Sequence, residues 1–169
     1  MFHILIDGYN LIHASRGTDF DWTNLPLEDQ RKALLDFLLT RRRPGREKIT
    51  VVFDGSSGIY PRDAHVHGID IVFSEAGVTA DTVICDIVAS SPNPRAYLVV
   101  SDDRGIRTSV LAAGAKVVAT RSFLVRAEEE REKRAQAGPR EPREKYTGTQ
   151  PGEVERWREI LGFDKEDEK

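Results

Sequence analysis

The N-terminal stretch of the chain reads Phe2-His3-Ile4-Leu5-Ile6-Asp7-Gly8-Tyr9-Asn10-Leu11-Ile12. Its first five residues are apolar apart from one histidine, and the run is too short for a typical helix. A short apolar run of this kind indicates a strand that is buried on both faces of a sheet. We therefore predict a strand over Phe2–Ile6 that ends in the carboxylate of Asp7.

Four more runs share this pattern, and helical patterns separate most of them. Leu27–Arg43 carries an apolar stripe, Thr79 can cap a helix over Ala80–Ser90, and Asp102 or Asp103 can cap a third helix. Strands that alternate with helices predict an α/β fold with a mostly parallel sheet covered on both faces. The five predicted strands are Phe2–Ile6, Ile49–Phe53, Ile69–Phe73, Tyr97–Val100 and Lys116–Ala119.

Length and composition restrict the class of protein. The chain has 169 residues, a length that suits one domain. Its formal net charge of −3 excludes a wholly basic protein whose entire surface attracts nucleic acid. No apolar run approaches the roughly 20 residues of a membrane helix, and no basic leader precedes the first strand. Cys85 is the single cysteine, and the sequence has no Cys/His zinc spacing. We expect a cytoplasmic protein without a membrane partner.

The chain divides by composition into three segments. Residues 1–125 hold nearly all the apolar runs, so we predict the folded domain there. Residues 126–152 are dominated by mixed charge with glycine and proline, which predicts a charged helical extension and a linker. Residues 153–169 predict a short amphipathic helix around Trp157 and an acidic tail. Within the domain, the segment from Asp54 to Ile69 lacks a helical pattern and is predicted to be a loop.

Aspartates recur where the predicted strands end or the next helix begins. The carboxyl ends of parallel strands share one edge of a sheet, where ligands bind in open α/β folds. Crowded carboxylates repel one another unless a cation neutralises them, and carboxylate oxygens suit Mg²⁺ or Mn²⁺. A simpler interpretation is that each aspartate only caps the following helix. The residues concerned are Asp7, Asp54, Asp81, Asp102 and Asp103.

Four short blocks, taken in order, resemble one known family. They are Ile6–Ile12, Val51–Gly55, Ser74–Asp81 and Val99–Asp103. Together they resemble the bacterial YacP-like family of NYN domains, which are PIN-like nucleases, over about residues 2–125. The resemblance implies a PIN-like (NYN) three-layer fold with a central five-stranded, mostly parallel sheet flanked by helices. It also implies a metal-dependent endoribonuclease that acts on RNA, including messenger RNA associated with ribosomes.

The resemblance also implies roles for particular residues. By motif position, Asp7, Asp81 and Asp102 are the acidic metal-site residues, with Asp103 beside them as a further ligand or orienting group. Asn10 is a polar supporting residue of the catalytic set, and Asp54 is a further acid at the rim. One departure from the family pattern is the aspartate at position 81, where PIN-like nucleases often have glutamate.

Basic and aromatic residues suggest how single-stranded or messenger RNA is held. Arginines near an acidic site suit a polyanion whose phosphate must approach metal ions, and aromatic rings can stack on unpaired bases. The alternative for the arginine run at the end of the first long helix is a solvated helix end. A non-catalytic RNA- or ribosome-binding adaptor that keeps the fold is the alternative for the whole domain. The predicted RNA-binding residues are Arg42, Arg43, Arg46, Arg104, Arg107 and Tyr9.

Overall fold

The computed structural model describes residues 2–41, 45–55 and 63–136. The chain divides into two compact units, Met1–Lys133 and Arg134–Lys169. In the second unit only residues 134–136 are described, as the end of a helix. The predicted linker and the predicted helix around Trp157 lie outside the described residues.

Helices separate most of the strands along the first unit, as the sequence predicts. None of the helices in the described part of the chain is long and apolar enough to cross a membrane. In chain order the elements are β1 (Phe2–Asp7), α1 (Gly8–Ala14), α2 (Leu27–Arg41), β2 (Glu47–Phe53), β3 (Asp63–Val66), β4 (Ile69–Phe73), α3 (Ala80–Ala89), a 3₁₀ turn (Pro94–Ala96), β5 (Tyr97–Val100), α4 (Arg104–Ala112), β6 (Lys116–Val118) and α5 (Thr120–Gln136).

The strands form one six-stranded sheet in the order β3-β4-β2-β1-β5-β6. Every neighbouring pair is parallel except β3 and β4, which are antiparallel. One core, which includes Ile6, Val51 and Leu34, lies on the side of α2 and α5. The other, which includes Leu5, Val99 and Ile84, lies on the side of α3 and α4. The predicted three-layer arrangement with a mostly parallel sheet is therefore confirmed.

The sheet has six described strands rather than the five predicted. The extra strand, β3, lies in the segment Asp54–Ile69, which the sequence predicts to be a loop. It forms a hairpin with β4 around His67 and Gly68, whose φ angles are +49° and +88°. Positive φ at both positions is the geometry of a tight hairpin turn, which Asn-Gly signals more clearly than His-Gly does.

The helix α1 is also absent from the sequence prediction, which treats Asp7–Asn10 as a turn. It has seven residues, and Leu11 and Ile12 are fully buried. The helix predicted to begin near Arg126 is part of α5, which begins six residues earlier, at Thr120. Leu124 and Ala127 of α5 are buried in the core.

Candidate active site at the carboxyl edge of the sheet

The order of the strands creates a crevice between β1 and β5. From β1 the chain builds the sheet outward through β2 to β4, and then returns to the other side of β1 with β5. Such a point of reversal is where open α/β sheets bind ligands, at the carboxyl ends of the strands. Asp7 ends β1 at this crevice, and Ser101 directly follows β5.

Asp7 is buried, with 7% of its surface exposed, and both of its carboxylate oxygens accept hydrogen bonds. Oδ1 accepts the backbone amide of Asn10 at 3.1 Å, which caps α1, and Oδ2 accepts the Asn10 side-chain amide at 3.2 Å. Burial raises the pKa of Asp7 above its usual value, and the charge of Asp81 raises it further, although the hydrogen bonds from Asn10 and Ser101 oppose the shift.

The fully buried hydroxyl of Ser101 connects three parts of this site. Its oxygen accepts the Asp103 amide at 3.1 Å and lies 3.4 Å from the Asn10 side-chain nitrogen. It donates to Oδ2 of Asp7 at 3.5 Å. The sequence prediction omits Ser101 from the site, although its place directly before Asp102-Asp103 at the end of a strand was an available signal.

Gly8 allows the first turn of α1 to lie directly on the sheet. A Cβ atom at this position would lie 2.4 Å from Cε1 of Phe53, closer than real Cβ atoms approach other atoms. Phe53 is 1% exposed and cannot easily move away. The sequence Asp7-Gly8 therefore places the N-terminus of α1 close against β2, and Asp7 at the crevice.

Asp102 and Asp103 both bind the N-termini of helices, but of different helices. Oδ1 of Asp103 accepts the Ile106 amide at 2.9 Å and caps α4. Oδ1 of Asp102 accepts the Thr120 amide at 3.1 Å, and Oδ2 accepts the Thr120 hydroxyl, at the start of α5. Of the two residues that the sequence offers as the cap of α4, the structure therefore uses Asp103.

Asp81 and Asp54 complete the acidic edge. Asp81 is exposed in the first turn of α3, which Thr79 caps as predicted. Its pKa is raised by partial burial and by the charges of Asp103 and Asp54. Asp54 accepts the Ser74 hydroxyl at 2.7 Å, and Ser74 in turn accepts the Gly55 amide at 3.1 Å. Asp81 is thus near enough to Asp7, Asp103 and Asp54 for charge to act between it and each of them.

The predicted RNA-binding residues do not all lie at this edge. Arg104 is exposed and Arg107 half-buried on the first turn of α4, directly after Asp103. Arg46 precedes β2 and so lies at the opposite, amino edge of the sheet. Arg42 and Arg43 lie outside the described residues. Tyr9 is half-buried, with its ring against Phe53 at a centroid distance of 5.2 Å.

The chain matches one known family of protein domains. A model of the YacP-like NYN domain family matches residues 4–160 of the chain. The chain belongs to this family. The resemblance found in the four sequence blocks is therefore confirmed, and the match extends beyond the domain boundary predicted at residue 125.

Solved structures of a YacP-like protein have the same fold. The crystal structure of Rae1 (YacP) from Bacillus subtilis is similar with a TM-score of 0.59 and 21% identity, over 96% of this chain and 91% of that chain. The structure of a mutant of that Bacillus protein is similar with a TM-score of 0.61 and 20% identity, over 83% and 87%. No curated protein sequence gives a significant match. The fold is therefore that of a PIN-like NYN domain, a class whose members are generally nucleases.

Divalent metal ions are usual in PIN-like nucleases, so we asked whether this YacP-like domain fits one. The donor chemistry fits, because the edge offers carboxylate oxygens, and burial followed by neighbouring carboxylate charge raises the pKa of Asp7 and of Asp81. Within the described ranges, however, no three His, Cys, Asp or Glu side chains are grouped closely enough to hold an ion. The described carboxylates thus form a shared negative field at the crevice rather than a preformed three-ligand metal cage.

Proposed function

We propose that this YacP-like NYN domain is a metal-dependent endoribonuclease that hydrolyses phosphodiester bonds in single-stranded RNA. The observation that carries the proposal is the buried carboxylate of Asp7 at the β1–β5 crevice, with its pKa raised by burial and by Asp81. Placing a desolvated carboxylate near other acids costs stability, and such arrangements concentrate at functional sites. Family membership makes nucleic-acid hydrolysis the natural use of this site.

The proposed ion is Mg²⁺ or Mn²⁺. Asp7, Asp81 and Asp102 would hold it, with Asp103 as a further ligand or orienting group. These described side chains form no preformed cage, so they would have to move closer together when the ion binds. When bound, it supplies activation of water and stabilisation of the charge that develops on the phosphoryl group. Asn10 and Ser101 orient the Asp7 carboxylate through the hydrogen bonds described above. Asp102 adds negative charge beside Asp103 and holds the start of α5 through Thr120, so its contribution to the metal site is partly positional. Asp54 remains a further acid at the rim.

Arg104 and Arg107 are the residues that we propose to contact RNA phosphates. They follow Asp103 on the first turn of α4, so they place positive charge next to the acidic crevice. A polyanion needs such charge to approach a carboxylate site. Arg46 lies at the other edge of the sheet and would contact only a longer RNA that extends past the domain. Arg42, Arg43 and Tyr9 stay predicted RNA contacts.

Messenger RNA engaged by ribosomes is the more specific target that the family resemblance implies. No residue of the described site distinguishes it from other single-stranded RNA. Comparing cleavage of one messenger RNA when it is free and when it is bound in polysomes tests this part separately.

A non-catalytic RNA- or ribosome-binding adaptor is the second candidate, and one observation favours it. Asp7, Asp102 and Asp103 each accept hydrogen bonds from the N-terminus of a helix, so each has a structural use without any metal. Capping does not account for Asp81, because Thr79 already caps α3. It also does not account for the burial of the Asp7 carboxylate.

The experiment that separates the two candidates uses an end-labelled single-stranded RNA with Mn²⁺, with Mg²⁺, or with a chelator. We expect cleavage in either metal and none with the chelator. Water attack with breakage of the P–O3′ bond leaves 5′-phosphate and 3′-hydroxyl ends. Fragments with 2′,3′-cyclic phosphates that form despite the chelator would identify a contaminating ribonuclease. RNA binding without metal-dependent cleavage would favour the adaptor.

A further inference from the structure

Arg31 of α2 is an arginine buried in the core, where 4% of its surface is exposed. Arginine is almost never fully buried without partners. Its guanidinium carbon lies 5.1 Å from the ring centre of Phe73 and 5.6 Å from those of Phe53 and Tyr9. These distances are within the range of cation–π attraction, so three aromatic rings stabilise the buried charge.

The guanidinium of Arg31 also binds the hydroxyl of Tyr9 through two nitrogens. Nε donates to the Tyr9 oxygen at 3.0 Å, and Nη2 donates to the same oxygen. The two residues are 22 positions apart, and the contact joins α2 to the first turn of α1. A charged donor makes such hydrogen bonds stronger than neutral ones.

Tyr9 lies in the chain between Gly8 and Asn10, the two residues that position the carboxylate of Asp7. Gly8 before it rests on Phe53, and Asn10 after it donates to both oxygens of Asp7. The helix α1 has only seven residues, and isolated helices of that length are unstable in water. The position of its first turn therefore depends on contacts with the rest of the domain, and these include the Arg31–Tyr9 contact.

We propose that Arg31 is a positioning residue for the Asp7 carboxylate, acting through the Tyr9 hydroxyl and the first turn of α1. Arg31 holds Tyr9, and this fixes the neighbouring Asn10, whose two N–H groups orient Asp7. The inference rests on the proposed nuclease function for its consequence in catalysis, but its structural part can be measured without activity.

Tyr9→Phe is the sharpest variant, because it removes the hydroxyl and keeps the ring. Any stacking of Tyr9 on an RNA base would survive this change, so the RNA KM should stay within about twofold. We expect kcat to fall about tenfold, the lower end of what mutation of residues that orient metal ligands costs. Arg31→Met should lower kcat at least as much. The double variant should be no slower than Arg31→Met, since both changes break the same connection.

The matched control is Phe37→Leu, in the same helix as Arg31. Phe37 is buried against Phe20 and Trp22, with ring centroids at 4.7 and 5.2 Å, and none of these contacts involves Tyr9. This change weakens the core without altering the Arg31–Tyr9 contact. It should leave kcat unchanged at a temperature where the protein is folded.

Hydrogen exchange of the Asn10 amide provides a readout that does not require cleavage. This amide donates to Oδ1 of Asp7 at 3.1 Å, and it should exchange several-fold faster in Tyr9→Phe and Arg31→Met than in the parent or in Phe37→Leu. If the parent is inactive but exchange changes as expected, the proposed function fails and the positioning role of Arg31 stands. Unchanged exchange and unchanged kcat in Tyr9→Phe would overturn the inference. If Phe37→Leu changed kcat and the exchange of the Asn10 amide as much as Tyr9→Phe does, the effects would come from general loss of core stability, and the positioning role of Arg31 would be refuted.

Discussion

The hydroxyl of Ser101 lies 3.5 Å from Oδ2 of Asp7, although 94 positions separate the two residues in the chain. Asp7 ends β1 and Ser101 directly follows β5, and these two strands are parallel neighbours, with Ile6 in register with Val100. The residue after β5 therefore faces the last residue of β1 across the crevice. The contact between Ser101 and Asp7 therefore connects the two halves of the sheet at the candidate active site.

Replacing Ser101 with alanine tests that connection. The change removes a donor to Asp7 and the acceptor of the Asp103 amide, so two carboxylate-bearing segments lose a shared partner. We expect kcat for RNA cleavage to fall about tenfold, and the free energy of unfolding to fall by about 1 kcal/mol. Ser109→Ala, on the exposed side of α4, is the control and should change neither quantity. Equal kcat values for the two variants would show that Ser101 does not orient the site.

Asp103 combines a helix cap with a charge at the site, and two substitutions separate these roles. Asparagine caps helices about as well as aspartate, so Asp103→Asn should keep stability while it removes the charge. We expect kcat to fall about 100-fold, as for removal of an electrostatic group from an active site. Asp103→Ala should show the same decrease in activity and also a decrease of about 1 kcal/mol in stability, because the cap is removed. Parental kcat in the asparagine variant would mean that Asp103 is only a cap.

The arginines of α4 should control RNA affinity rather than the chemical step. Replacing Arg104 and Arg107 with glutamate should raise KM and weaken the salt dependence of binding. The slope of log affinity against log salt should decrease by about 0.7 for each phosphate of a single-stranded RNA that the variant no longer neutralises. Arg95→Glu is a matched charge reversal at the amino end of β5, away from the acidic edge. We expect no change in the slope for Arg95→Glu. An equal decrease of the slope in Arg95→Glu and in the α4 variants would contradict the proposed RNA contacts of Arg104 and Arg107.

His3 should make the protein less stable in mild acid, independently of function. Burial lowers the pKa of His3 from 6.5 to about 4, with the Lys48 charge acting in the same direction and Asp70 opposing the shift. Between these two values the unfolded chain binds a proton that the folded protein excludes, so stability falls as the pH falls through this window. His3→Gln keeps an amide to pair with the Thr50 hydroxyl, which lies 2.9 Å from Nε2 of His3. Denaturant titrations should show that the free energy of unfolding depends less steeply on pH in this variant than in the parent. The same pH dependence in both proteins would contradict the role of His3.

The parts of this structure that were predictable from sequence are those set by local patterns. Apolar runs predicted five strands, and Thr79 predicted the start of α3, because both depend on near neighbours. The strand β3 was missed because four residues followed by His67-Gly68 give a weak hairpin signal. The helix α1 was missed because Asp7-Gly8-Tyr9-Asn10 also suits a turn.

The gathering of aspartates at one edge of the sheet could be predicted from the sequence, but the side chains that hydrogen-bond to the residues of this edge could not. Aspartates at the ends of parallel strands share one edge, and this much follows from topology. Arg31 gave no sequence signal, because its contact with Tyr9 connects residues that become neighbours only after folding. Ser101 and Thr120 are similar, since their partners Asp7 and Asp102 lie 94 and 18 positions away.

We infer that the carboxylates at this edge catalyse RNA hydrolysis with a divalent ion. The most direct measurement is single-turnover cleavage of a single-stranded RNA in Mn²⁺ by the parent, Asp7→Asn and Asp81→Asn. Asp86→Asn is the control, because Asp86 is an exposed aspartate further along the same helix as Asp81. We expect the cleavage rate to fall about 100-fold or more in Asp7→Asn and in Asp81→Asn, and to stay at the parental value in Asp86→Asn. Parental rates in both Asp7→Asn and Asp81→Asn would contradict this inference.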